Sequence, residues 1–359
     1  MSQRAKGTIG ILTFHRTLNY GAVLQCYALM RVINDSGYNA SVIDYRSPMI
    51  EQREMRPRIF LRKNVKNFVG FPFEMLMKYV RRRSFAKSKI KASSLYGVKS
   101  DIDLVPQLQG LDSVVVGSDQ VWNLGLTGGD FQYFLPGPGD FKKNSYAASF
   151  GSRKVAQAER VARYLDDFNY VGVREADGVR IAHEMGIDAS QVLDPTLLLT
   201  PEQWKKVSAG VPHLPDKYIV AYAVNMKEDV VSRAKKIAEE HHASVVYIHG
   251  SDWTPVKGVK NIYSAGPDEF IYLIRNAEAV VTSSFHGTCF AMLMHRPFTV
   301  VMNHWKENAN SRLESLLQLV GVDEKAAAAG IVHPVWEDLD DLLESERERS
   351  LNYLKQELI

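Results

Sequence analysis

Residues 8–30 read TIGILTFHRTLNYGAVLQCYALM. The first part, 8–14, is apolar and β-branched, the composition of a buried strand. An apolar-periodic run opens at Ala22 and continues to 35, the pattern of a helix with one face on a core. Between them lies a short polar loop ending in Asn19-Tyr20-Gly21. Strand, loop and helix in this order form the repeating unit of a parallel sheet covered by helices.

The same alternation extends along the chain. Strands are predicted at 8–14, 40–45, 112–117, 144–150, 170–174 and 190–194, then at 217–224, 244–249, 279–284 and 297–302. Helical patterns fall between them, at 22–35, 154–167, 175–185, 227–242, 267–277 and 311–320. Continuous Val/Ile runs indicate parallel strands buried on both faces. The two series are separated by PTLLLTPEQWKKVSAGVPHLP (195–215), read as an interdomain linker. The expected fold class is therefore α/β, with two doubly wound, Rossmann-like domains facing a cleft. The first spans 1–205, the second 206–330, and a C-terminal helix occupies 331–359.

The bulk numbers exclude several classes. With 359 residues and 45% apolar content, two cores can be built. A net charge of +3 excludes a polycation built for nucleic acid, so no nucleic-acid partner is expected. Two cysteines, Cys26 and Cys289, make no disulfide framework. The start MSQRAKG has no signal-peptide pattern, and no run reaches the length of a membrane span. The expectation is a cytoplasmic protein. One segment departs from the average: 53–91 holds 13 Lys/Arg and two acidic residues. Phe60, Phe68, Phe71, Phe73 and Tyr79 interleave with these charges. It reads as a basic helical insertion. Either it has a plain solvated face, or it meets an anionic acceptor, a phosphorylated lipid carrier or the inner membrane face peripherally.

In open α/β sheets, ligands lie beyond the carboxyl ends of the strands, which selects five stretches. In HRTLNYGA, Asn19, Tyr20 and Gly21 are expected to face the acceptor or the reacting centre; Gly21 would let a ligand approach the backbone, and Asn19 could equally cap the helix. No dinucleotide fingerprint is present. In VVVGSDQVWN, Asp119 follows a buried strand and could act as a base, or cap the next turn; Ser118 and Gln120 flank it. In YVGVREADGVR, Arg174 closes a strand, able to grip a carboxylate or phosphate, or to pair with Glu175 or Asp177. In AVVTSSFHGTCFAMLM, Ser283, Ser284, Gly287 and Thr288 surround His286 at a strand-to-helix turn, an anion site with a candidate general acid. In HWKENANSRLESLLQLVG, Lys306 and Arg312 are candidate anion clamps. No Cys/His spacing suits zinc, so no metal is expected.

Taken together, GILTFHRTLNYGAVLQCYAL, GSDQVWN, YAASFG, VGVRE, VLDPTLLL and TSSFHG resemble the polysaccharide pyruvyl transferase family, over about residues 8 to 320. The resemblance implies a fold similar to the two-domain GT-B glycosyltransferases, with the last helix crossing back to the first domain. It implies transfer of a pyruvyl group from phosphoenolpyruvate to a sugar of a polysaccharide or its precursor, giving a ketal. Carried over by position, the family's histidine is His286, its strand arginine Arg174 and its acidic residue Asp119. Phosphoenolpyruvate would be the donor substrate, a saccharide, lipid-linked or not, the acceptor, and no cofactor is implied. Two other readings stay open: a GT-B nucleotide-sugar glycosyltransferase whose TSSFHG turn holds a diphosphate, and a non-catalytic glycan-binding protein. The chain departs from the family pattern at Ala22, where members tend to have Asp.

Overall fold

The computed structural model describes residues 5–52, 71–99, 102–304 and 310–358. Two parallel sheets organise it. The first holds β1 (Thr8–Leu12), β2 (Asn39–Ile43), β3 (Leu95–Tyr96), β4 (Ser113–Val116), β5 (Lys142–Ala148), β6 (Tyr170–Val173) and β7 (Ser190–Gln191), in the order β3-β2-β1-β4-β5-β6-β7. The second holds β8 (Tyr218–Tyr222), β9 (Ser244–Ile248), β10 (Lys260–Ile262), β11 (Ala279–Thr282) and β12 (Phe298–Val300), in the order β10-β9-β8-β11-β12. β4, sequence SVVV, is buried at every position, as a strand covered by helices on both faces must be.

In each sheet the order reverses about a central strand, and the crevice for a ligand opens at that reversal. In the first domain it lies between β1 and β4, which pair in register from Ile9↔Ser113 to Leu12↔Val116. In the second it lies between β8 and β11, paired from Ala279↔Ile219 to Thr282↔Tyr222. The loops leaving these four strands start level with their neighbours, so each domain presents two loops together at one sheet edge.

Local chemistry places the helices that follow. Asn19 caps Tyr20–Asp35 by accepting from the Ala22 N–H, and the helix ends at Ser36 before Gly37, whose φ of +91° is the left-handed turn glycine allows. Ser284 caps Phe285–Leu293, a helix buried along its whole length.

The segment 195–215, read as the interdomain linker, contains two short helices. Pro195–Leu198 and Pro201–Val207 are helices, each with its proline in the first turn, where the missing N–H costs nothing. Asp194 caps one, and a Thr200/Gln203 capping box opens the other. Trp204 is buried, its indole donating to the Thr196 carbonyl. The last helix, Trp336–Tyr353, runs back to the first domain: Arg347 donates to the Leu197 carbonyl, Ser350 accepts from the Leu193 N–H, and Tyr353 packs beside Gly172 of β6.

Of the basic insertion, 53–70 lies outside the described residues. The described part forms the helix Phe71–Lys87. Its Arg81 is buried against the second domain, donating to the carbonyls of Tyr263, Gly250 and His249, with its guanidinium 4.2 Å from the Trp253 ring. Among the described residues, no helix is long and apolar enough to cross a membrane.

Candidate functional site

The two crevices face each other. A cavity of about 70 Å³ between the domains is lined by Asn19 after β1, Asp119 and Gln120 after β4, Asn225 after β8, Ser283 to His286 after β11, and Arg312. Each switch-point loop thus contributes to one cleft.

His286 sits in the first turn of Phe285–Leu293, nearly buried. Its Nε2 lies 3.4 Å from Oδ2 of Asp194, a residue of the other domain. Asp194 is buried and fully engaged. Its Oδ1 accepts from the Thr196 N–H at 2.9 Å and hydroxyl at 2.7 Å, while its Oδ2 accepts from the Ser118 hydroxyl at 2.8 Å and Arg174 Nη1 at 3.0 Å. Burial alone would raise this carboxyl's pKa. His286 and Arg174 outweigh burial and hold it well below the ordinary carboxylate range. Asp194 is therefore a fixed anion that faces one ring nitrogen of His286. Nδ1 lies against Gly21, and Nε2, although it faces Asp194, makes no close hydrogen bond.

The His286 ring is packed on Gly21. A methyl group built at Gly21 would lie 2.0 Å from Nδ1. The glycine expected to admit a ligand instead admits a side chain of the second domain. Gly21→Ala should displace His286 and cost about 1–3 kcal/mol, the usual range for overpacking. In a His286→Ala background the same change should be neutral or stabilising, because alanine is the better helix residue there. Urea denaturation of the four proteins checks this; an equal cost in both backgrounds would contradict the contact.

Arg174 is buried and does not line the cleft. Besides Asp194 it has Glu175 at 3.8 Å and Asp119 at 3.9 Å, with the Phe285 ring 4.6 Å from its guanidinium. Burial works against its charge, but the three carboxylates outweigh that and raise its pKa. It organises the anions behind His286, a different placement from the expected donor clamp. Glu175, its pKa raised by burial against the pull of Arg174, accepts from the Ser149 hydroxyl at 2.6 Å.

Asp119 stands at the cleft with φ +79°, a conformation costly for a side chain with a Cβ. Its Oδ1 accepts from the Gln120 N–H. The neighbouring Ala147 of β5, at φ +56°, lies where the β5–β6 register shifts. Strained backbone of this kind is found where surrounding structure holds a group in a working position. Gln120 accepts from Asn123 Nδ2 and also lines the cleft.

Arg312 lies on the opposite wall. It has no hydrogen bond or ion pair among the described residues. Burial and the charge of Arg174 lower its pKa, against the pull of Glu175 and Asp119. A cation in that position is stabilised by an incoming anion. Lys306 lies outside the described residues.

Several expected contacts are turned elsewhere. Tyr20 is fully buried between the domains, stacked on Phe270 at 4.6 Å with its hydroxyl donating to the Ala265 carbonyl, so it joins the domains instead of facing an acceptor. The Ser283 hydroxyl donates to the Asn225 carbonyl at 2.7 Å, tying two loops together. Ser284 accepts from the Gly287 N–H, and Thr288 donates to the Ser284 carbonyl, so these groups build the turn. Ser118 is spent on Asp194. Cys26, its thiol pushed up to about 12 by burial, and Cys289 are buried core residues. Among the described residues, no group of three His, Cys, Asp or Glu side chains is arranged to hold a metal.

Asp194 and Asn225 are absent from the candidates named from sequence, and Glu175 stands there only as the alternative ion-pair partner of Arg174, a contact present at 3.8 Å. Asp194 carried a readable signal, an Asp-Pro pair closing a strand. Nothing in the sequence marks Asn225.

A family model for polysaccharide pyruvyl transferase matches residues 19–304, a span that includes Asn19, Asp119, Arg174 and His286. No curated protein matches. Among solved structures, the complex of S. aureus MnaA with UDP is similar at 12% identity and a TM-score of 0.51, over 97% of this chain and 95% of that one. The UDP-GlcNAc 2-epimerase of Methanocaldococcus jannaschii is similar at 14% identity and a TM-score of 0.47, over 94% and 91%. At such identities the likeness concerns the fold alone, two parallel-sheet domains in the GT-B arrangement.

Proposed function

The chain belongs to the polysaccharide pyruvyl transferase family, and from that premise we propose that it moves the pyruvyl group of phosphoenolpyruvate onto two hydroxyls of a saccharide. The observation that carries the proposal is the pairing, in one cleft, of a histidine backed by a buried carboxylate with an arginine that has no hydrogen-bond or ion-pair partner among the described residues.

The donor carries a phosphate and a carboxylate. Arg312 and the first N–H groups of Phe285–Leu293 supply fixed positive ends for it. His286, held beside Asp194, gives a proton to the methylene carbon, which becomes a methyl group. The adjacent carbon takes up positive charge and is attacked by the first sugar hydroxyl, with Asp119 accepting its proton. The C–O bond to phosphate breaks, and the second hydroxyl closes the ketal. Of the two protons the diol gives up, one balances the methyl group and the other leaves with phosphate. Leaving phosphate is stabilised by the preorganised cations. As proposed, the reaction draws on these side chains and uses no cofactor or metal.

Isothermal titration tests the donor. Phosphoenolpyruvate should bind wild-type protein and bind Arg312→Ala at least about tenfold more weakly, the loss of one charge-assisted contact. Binding of UDP-sugars with no heat from phosphoenolpyruvate would replace this reading by the glycosyltransferase one.

A further inference from the structure

The helix Phe71–Lys87 has two faces with different tasks. Its inner face is docked: Arg81 is buried, Lys78 pairs with Glu74 at 3.1 Å, and Phe85 packs against Tyr20. Its outer face is exposed and divided along its length. In the first turns it presents Pro72, Met75, Leu76 and Tyr79, with Leu76 54% and Tyr79 58% exposed. In the last turns it presents Arg82, Arg83 and Lys87, followed by exposed Lys89 and Lys91. Glu74 is the helix's one acidic residue, and it lies on the inner side.

We propose that this outer face seats the protein on an anionic lipid bilayer. Large apolar side chains left in water forgo the free energy of burial, and nothing on the inner side requires them to be apolar on this face. A surface that is apolar at one end and purely cationic at the other complements a layer of hydrocarbon edged by negative headgroups. The lengthwise division sets the attitude. The Phe71 end dips toward the acyl boundary, and the Lys87 end rests among headgroups. Because Arg81 ties the same helix to the second domain, the seat is rigid with respect to both domains. This inference is independent of which donor the cleft takes.

Vesicle co-sedimentation of the purified full chain tests it, with phosphatidylcholine vesicles and with phosphatidylcholine vesicles containing phosphatidylglycerol. The chain should pellet with the anionic vesicles alone, and release in high salt. Arg83→Glu/Lys87→Glu and, separately, Leu76→Asp/Tyr79→Asp should each weaken binding at least about tenfold. All four positions are exposed, so melting temperatures should be unchanged. Failure of the wild-type chain to pellet with anionic vesicles would overturn the proposal, as would wild-type binding by both variants. So would a wild-type dimer that Leu76→Asp/Tyr79→Asp converts to monomer without any vesicle binding, since a second copy would then cover the face.

Discussion

Asp194→Asn should reduce turnover about 10²–10⁴-fold while leaving phosphoenolpyruvate affinity within about tenfold of wild type, as expected when a histidine loses the carboxylate that orients it. Asp194 meets Nε2 of His286, Nη1 of Arg174 and the Ser118 hydroxyl with one oxygen, and it has no surface on the cleft. An amide keeps the shape and removes the charge. The same change should destabilise the fold by about 3 kcal/mol, since Arg174 loses its nearest counter-ion in a buried place. Glu175 and Asp119 remain within 4 Å and keep the loss at the low end of the usual range. The pH dependence has a definite sign. A carboxyl held below its unfolded value contributes stability above about pH 4 and loses it as pH falls further. The stability gap between wild type and Asp194→Asn should therefore be full at neutral pH and shrink below about pH 4. A gap that is flat with pH would remove Asp194 from the ion cluster.

His286→Ala should lose turnover by a similar factor, about 10²–10⁴, with a different signature. The side chain makes one ion-pair contact and otherwise packs on Gly21, so the variant should fold. Phosphoenolpyruvate affinity should change little, because Arg312 and the helix start remain. The fall should appear in kcat at saturating donor, and Asp194→Asn added to His286→Ala should cost little more, since the two act as one unit. A kcat for His286→Ala near that of wild type would assign proton delivery elsewhere.

The fold was largely legible because its central strands are continuous apolar runs and its helices carry caps and periodicity. β3 (LY) and β10 (KNI) were missed: edge strands of two and three residues have no run to read. The helices within 195–215 were masked by prolines, which break a helix interior but open its first turn. The site was legible at the level of loops, because the switch-point rule picks out the strand ends where Asp119 and His286 stand. Which side chains face a ligand was not legible. Ser283, Ser284 and Thr288 have the chemistry of an anion site, and the structure spends all three on holding the turn. Tyr20 and Gly21, adjacent in sequence, both meet the second domain, one by stacking and one by yielding space. The last two depend on contacts between residues more than 200 positions apart, Tyr20 with Phe270 and Gly21 with His286, and no local pattern encodes them.

The most direct test of the account is phosphate release from phosphoenolpyruvate by the purified protein across a panel of saccharide acceptors, free and lipid-linked, with mass analysis of the acceptor. The expected result is release that depends on one class of acceptor, matched mole for mole by acceptor carrying pyruvate, and abolished in His286→Ala. Pyruvylated acceptor formed equally by His286→Ala, or sugar transfer from a nucleotide donor with no phosphate released from phosphoenolpyruvate, would contradict it.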